Sequence, residues 1–184
     1  MIPISRPSIR RKDMDAVLTC MVTDDLGPGS RGQELTAAVA DAMDLSGGIA
    51  LRERRRAIAA ALSLLELPSG GRVLLDPLAP AYYHETIIAA GLTPCYSDVL
   101  LESACLDAKG VAHAAPDAII SRTVLGFVPD LEELTAFGVP VVEDVTEGIG
   151  ANTGDRRAGT YGRFTIVGLE PDGIITAGGG ALLL

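Results

Sequence analysis

The sequence contains no tryptophan, aromatic residues make up only 4% of it, and it has three cysteines and two histidines. So few aromatic rings provide little surface for stacking nucleic-acid bases. The net charge of −9 also opposes binding to a phosphate backbone, so we expect no nucleic-acid partner. The cysteines, Cys20, Cys95 and Cys105, are odd in number and widely spaced, which fits neither a disulfide framework nor a zinc site. We therefore expect no metal.

Long apolar runs are also missing. The most apolar stretch, residues 57–65, is too short to cross a bilayer, and the first residues carry no apolar core of a secretory signal. We expect no membrane contact and a cytoplasmic location.

Lysine is scarce as well. Of the fifteen basic residues, only Lys12 and Lys109 are lysines, and arginines cluster at Arg52 and Arg54 to Arg56. Any chemistry that depends on a lysine amine thus has two candidates in this chain.

Short apolar runs alternate with amphipathic segments along the rest of the sequence. The pattern predicts strands at 49–51, 72–75, 93–97, 118–121, 139–143, 164–167 and 181–184, and helices at 8–23, from 30, 52–65, 82–90 and 131–137. We expect Ser8 and Ser30 to cap the first two helices. Apolar strands separated by helices indicate a single α/β domain over residues 1–184, with a mostly parallel sheet between two helical layers.

Two positions suggest a site. Asp144 ends a predicted buried strand, at the sheet edge where α/β proteins bind ligands, so it is suited to hold a protonated ring nitrogen or a cation. The alternative is that it caps the following turn.

Arg54 and Arg55 begin a helix directly after a strand, where phosphate or carboxylate groups bind well. The alternative there is a solvated helix face.

Several short segments occur in a specific order. They are Ile2-Pro3-Ile4-Ser5-Arg6-Pro7, Leu26-Gly27-Pro28-Gly29, Gly91-Leu92-Thr93-Pro94, Pro140-Val141-Val142-Glu143-Asp144, Arg156-Arg157-Ala158-Gly159 and Gly179-Gly180-Ala181-Leu182. In this order they resemble the large domain of the DegT/DnrJ/StrS family. That resemblance implies a fold-type-I domain, a pyridoxal phosphate (PLP) cofactor and transamination of nucleotide-linked keto-sugars. It also implies a homodimer and a small C-terminal domain, which we expect to be absent here.

The departures from the family pattern concern the cofactor site. The resemblance places Asp144 at the ring nitrogen, Glu147 where the family has glutamine, and Pro80 near the position of the stacking aromatic ring. The glycine-containing phosphate loop aligns with Arg52 to Arg56, and the Schiff-base lysine falls at about Asp172. Without that lysine no covalent link to the cofactor forms at this position.

Three functions stay open on the sequence. The first is a degenerate relative without catalysis, with no bound cofactor, that binds or associates as a homodimer. The second is an active enzyme that uses a partner's lysine or non-covalent PLP. The third is a module that binds small anions or nucleotide-sugars through Arg54 and Arg55.

Overall fold

A computed structural model describes residues 8–24, 27 and 29–184. The segments 2–7 and the residues Leu26 and Pro28, which contribute to the resemblance, lie outside the described residues. The helices are α1 (Arg11–Val22), α2 (Ser30–Ala42), α3 (Arg54–Leu64), α4 (Ala81–Ala89), α5 (Val111–Ala114) and α6 (Leu131–Ala136). A short 3-10 helix, Ala108–Gly110, precedes α5.

The strands are β1 (Ile49–Leu51), β2 (Arg72–Leu75), β3 (Thr93–Tyr96), β4 (Ala118–Arg122), β5 (Val141–Asp144), β6 (Asn152–Thr153), β7 (Arg156–Arg157), β8 (Phe164–Gly168) and β9 (Ala181–Leu183). Seven of them form one sheet in the order β1-β9-β8-β5-β4-β2-β3. The neighbours from β3 to β8 pair in parallel, whereas β9 pairs antiparallel with β8 and with β1. The mostly parallel sheet predicted from the sequence is therefore confirmed.

Helices cover both faces of this sheet. Successive strand residues point to opposite faces, and the core divides accordingly. Leu74, Ile119 and Val167 pack with α2, α5 and α6 on one face, while the alternate residues Ile120 and Ile166 pack with α3 and α4 on the other. This is the predicted α/β/α sandwich.

The predicted main-sheet strands and the five predicted helices are present, with ends within about three residues of the prediction. The two predicted caps are wrong. Helix α1 begins at Arg11, and the Arg10 backbone N–H at its N-cap donates to the Asp13 carboxylate over 2.8 Å. Ser30 is the first residue of α2, and Gly29 occupies the N-cap.

Helix α1 packs differently from the others. All of its residues are exposed except Cys20, which is half-buried. Its apolar side chains nevertheless lie on one face, because Met14, Val17, Leu18 and Met21 recur at helical spacing. Among the described residues, no helix is long and apolar enough to cross a membrane.

Candidate functional site

The carboxyl ends of β2, β4, β5 and β8 meet at one edge of the sheet because these strands are parallel. Chain order reverses between β2 and β4, since β3 lies on one side of β2 and the later strands lie on the other. The crevice outside such a reversal is the usual ligand site of an open α/β sheet. The side chains at these strand ends therefore define the candidate site.

Asp144, the last residue of β5, lies in this crevice and is only 3% exposed. Its Oδ2 accepts a hydrogen bond from the Tyr83 hydroxyl of α4. Its Oδ1 accepts from the backbone N–H of Thr146 over 2.9 Å. Asp144 thus fixes the turn that follows its strand, which is one of the two roles that the sequence left open, and its role in holding a ring nitrogen or a cation stays a prediction.

Arg54, at the first turn of α3, reaches over the end of β8. Its Nε and Nη2 donate to the two carboxylate oxygens of Glu170 over 3.1 and 2.7 Å, and its Nη1 lies 3.8 Å from Asp144 Oδ2. Burial lowers the pKa of Arg54, but the Glu170 hydrogen bond and the Asp144 charge outweigh this effect and raise the pKa above its ordinary value. The guanidinium is therefore a permanent cation beside Asp144.

A second ion pair lies where the chain order reverses. Arg122, at the end of β4, donates from Nε to Asp76 Oδ2 over 3.0 Å, and both side chains are buried. The Arg122 Cζ lies 5.6 Å from the centre of the Tyr83 ring, a cation–π contact. Burial raises the pKa of Tyr83 well above its ordinary value and the nearby Asp144 charge raises it further, so its hydroxyl stays a neutral donor.

These contacts join the two ion pairs into one group of side chains, which we call the crevice network. Its members are Asp76, Arg122, Tyr83, Asp144, Arg54 and Glu170. Of these six residues, the sequence predicted a site role only for Asp144 and Arg54. Asp76 directly follows β2 and Arg122 ends β4, so the strand-end argument that selected Asp144 applies equally to them.

The remaining predicted site residues lie around this network. Arg55 is exposed and pairs with Glu85 of α4 over 2.7 Å. Glu147 accepts a hydrogen bond from the Leu125 backbone N–H over 3.0 Å, and Pro80 is exposed at the N-cap of α4. A small cavity of about 200 Å³ opens beside Arg54, Arg55 and Tyr82. The binding roles of Asp144, Arg54, Arg55, Glu147 and Pro80 stay predictions.

The segment after β8, at which the family resemblance places the Schiff-base lysine, carries carboxylates. Glu170 turns inward to Arg54, and Asp172 is exposed. The two lysines lie elsewhere, Lys12 on the exposed helix α1 and Lys109 on the 3-10 helix after β3.

Glu143 precedes Asp144 and points to the opposite face of the sheet. One of its oxygens accepts from the backbone N–H of Gly159 over 2.6 Å, and the other accepts from those of Tyr161 and Gly162 over 2.7 and 2.5 Å. Burial raises the pKa of Glu143, and these three hydrogen bonds oppose that rise. Glu143 therefore anchors the loop after the β6–β7 hairpin.

A model of the DegT/DnrJ/EryC1/StrS aminotransferase family matches residues 7–184. The chain belongs to this family. It is 27% identical over 165 residues to L-glutamine:2-deoxy-scyllo-inosose aminotransferase of Micromonospora echinospora, an alignment that covers 85% of this chain and 39% of that relative.

Solved structures agree with this assignment at the level of the fold. The aminotransferase TlmJ from Streptoalloteichus hindustanus superposes with a TM-score of 0.92 at 22% identity, over all of this chain and 52% of that one. The E. coli GDP-4-keto-6-deoxy-D-mannose-3-dehydratase with bound hydrated PLP also gives 0.92, at 16% identity, over all of this chain and 51% of that one. The DegT-family chain thus spans about half the length, or less, of these relatives.

Proposed function

We propose that this DegT-family chain is a non-catalytic, aminotransferase-like protein whose role is binding or association. The observation that carries the proposal is the composition of the site around Asp144. The segment after β8 contributes Glu170 to this site, and the described cation nearest Asp144 is the guanidinium of Arg54. A guanidinium stays protonated and has no free amine for a Schiff base. The alternative is that a partner's lysine or non-covalent PLP supplies this chemistry.

Incubation with PLP followed by borohydride is the direct test of this proposal. We expect Lys12 and Lys109 to be labelled no more in the folded protein than in the same protein after denaturation. We also expect no amino transfer to nucleotide-linked keto-sugars. Peptide mass spectrometry locates any adduct, and an amino-acid-dependent assay measures transfer. Selective labelling of one lysine in the folded protein, or amino transfer above the rate without protein, contradicts the proposal and favours the enzyme.

Helix α1 supports a role in association. Its apolar side chains Met14, Val17, Leu18 and Met21 are exposed on one face, although burying such a face is the usual driving force for packing a helix. We propose that this face packs against a second copy of the chain in a homodimer. The same face on both copies satisfies the two-fold symmetry that most homodimers have.

The variant Val17→Glu tests this association. We expect it to convert a dimer into a monomer, because a glutamate at the centre of the apolar face would lose its hydration on dimerisation. Sedimentation velocity measures the change, and Ala16→Glu, on the opposite face of the same exposed helix, adds the same charge as a control. A monomeric parent protein, or equal dissociation of both variants, rules out α1 as the interface.

A further inference from the structure

The crevice network occupies the edge of the sheet where ligands of α/β proteins bind. Both oxygens of Asp144 already accept hydrogen bonds from the chain, and Arg54 adds a cation 3.8 Å from Oδ2. A protonated pyridine ring bound to Asp144 would be a second cation close to this guanidinium. Like charges at such distances repel, and they repel more strongly inside a protein than in water.

The ion pair of Arg54 and Glu170 also fills space above the end of β8. A methyl group placed on Gly168 would lie 2.2 Å from Glu170 Oε2 and 2.6 Å from Arg54 Nε, so the pair packs directly on the glycine backbone. Two parallel hydrogen bonds hold the pair together, and it is more shielded than the neighbouring pair of Arg55 and Glu85. Side-chain exposures are 13% and 29% for Arg54 and Glu170, against 47% and 54% for Arg55 and Glu85.

Charge also disfavours a phosphate group at this end of α3. The helix begins with three arginines, yet Arg54 already holds Glu170 and Arg55 holds Glu85. An incoming phosphate would have to displace Glu170 from Arg54 or lie beside its negative charge. The residues present therefore do not fit a pyridoxal-type cofactor as they stand.

We propose that Arg54 and Glu170 form a built-in plug that keeps pyridoxal-type cofactors away from Asp144. The inference rests on the proposed function and deepens it, because it identifies the side chains that exclude the cofactor in addition to the missing lysine. In this arrangement Arg54 is the internal counter-ion of Asp144. The Tyr83 hydroxyl donates to Asp144 Oδ2, the same carboxylate oxygen that Arg54 approaches.

Removal of the plug is expected to create a binding site. Pyridoxamine phosphate is the probe, since it lacks the aldehyde that would label surface amines. We expect the variant R54A/E170A to bind it at least about tenfold more tightly than the parent chain, as measured by calorimetry. The matched control is R55A/E85A, which removes the same two charges from the exposed neighbouring pair and is expected to bind like the parent.

Two further variants make the result decisive. Adding Asp144→Asn to R54A/E170A is expected to abolish the gain, because the ring nitrogen then loses its carboxylate. If circular dichroism shows that R54A/E170A does not fold, R54M/E170Q replaces it, since its side chains are closer in size to the originals. Equal binding by the parent and the folded plug variant overturns the inference, as does a gain that survives Asp144→Asn or appears in R55A/E85A.

This experiment is separable from the test of the proposed function. If the parent chain binds pyridoxamine phosphate but forms no selective lysine adduct in the PLP experiment, the plug is contradicted and the non-catalytic proposal stands. A parent chain that forms a selective adduct contradicts both.

Discussion

Replacing Asp76 by alanine is expected to lower the free energy of unfolding by about 3–5 kcal/mol, because it leaves a buried guanidinium without its carboxylate. Asp76 is only 2% exposed, and in the part of the chain that the structure describes Arg122 has no other ion pair and keeps only its contact with the Tyr83 ring. The backbone N–H of Leu78, which donates to Asp76 Oδ1 over 3.0 Å, loses its acceptor as well. Chemical denaturation followed by circular dichroism measures the loss.

The double variant D76A/R122M separates the cost of an unpaired charge from the net contribution of the pair. We expect it to recover at least about 2 kcal/mol of the loss, since removing both charges from a buried pair is often nearly neutral. The control is Glu34→Ala, which breaks the exposed pair with Arg31 and is expected to change stability by about 1 kcal/mol or less. If D76A loses no more unfolding free energy than Glu34→Ala, water must reach Arg122. The buried pair would then not stabilise this part of the fold.

The ion pair of Asp76 and Arg122 lies at the same edge of the sheet as Asp144. It lies between β2 and β4, where the chain order reverses, and the plug of Arg54 and Glu170 lies two strands away over β8. Tyr83 joins them, with its ring on Arg122 and its hydroxyl on Asp144. The edge is therefore occupied by charges that pair within the chain, three carboxylates with two guanidiniums.

Much of the fold could be predicted from the sequence because its central strands β4, β5 and β8 are buried on both faces. Short apolar runs such as residues 118–121 and 164–167 mark strands in a parallel sheet almost independently of context. The 3-10 helix with α5 and the β6–β7 hairpin were missed, because elements this short contain too little periodic pattern to be recognised.

The site was harder to predict because its contacts join residues that are far apart in the chain. Asp144 could be recognised from its place at a strand end, but its neighbour Arg54 depends on Glu170, 116 residues further along. Arg54 begins α3 and Glu170 follows β8, so their pairing depends on α3 packing against β8 and on β8 lying beside β5, which local sequence does not determine. The sequence therefore predicted Arg54 as a cation available to ligands, whereas in the fold it already holds a carboxylate.

The alternation of side chains along β5 assigns Glu143 and Asp144 to different faces of the sheet. Neighbouring strand residues face opposite sides of a sheet, so the pair Glu143 and Asp144 cannot act on one ligand. Asp144 faces the crevice network, and Glu143 faces the loop with Gly159, Tyr161 and Gly162. The position at a strand end marked only Asp144 as a site residue, yet Glu143 is the residue whose loss is expected to destabilise the protein strongly.

The variant Glu143→Ala is expected to destabilise the protein by about 3 kcal/mol, because three backbone N–H groups lose their acceptor at once. Glu143→Gln is expected to cost about 2 kcal/mol, since its amide NH₂ turns a donor toward an N–H group that needs an acceptor. Denaturant unfolding measures both losses, and Glu102→Ala, at an exposed turn, serves as the control.

Hydrogen exchange shows whether the loss of stability in Glu143→Ala begins in the loop that Glu143 anchors. In Glu143→Ala the amides of Gly159, Tyr161 and Gly162 are expected to exchange faster relative to those of Ile119 and Ile120 in β4, because the loop opens without unfolding the sheet. If all these amides accelerate equally, the carboxylate stabilises the sheet as a whole and does not hold the loop specifically. Unchanged exchange at the loop amides would show that water replaces the carboxylate, and the role of Glu143 as an anchor would be wrong.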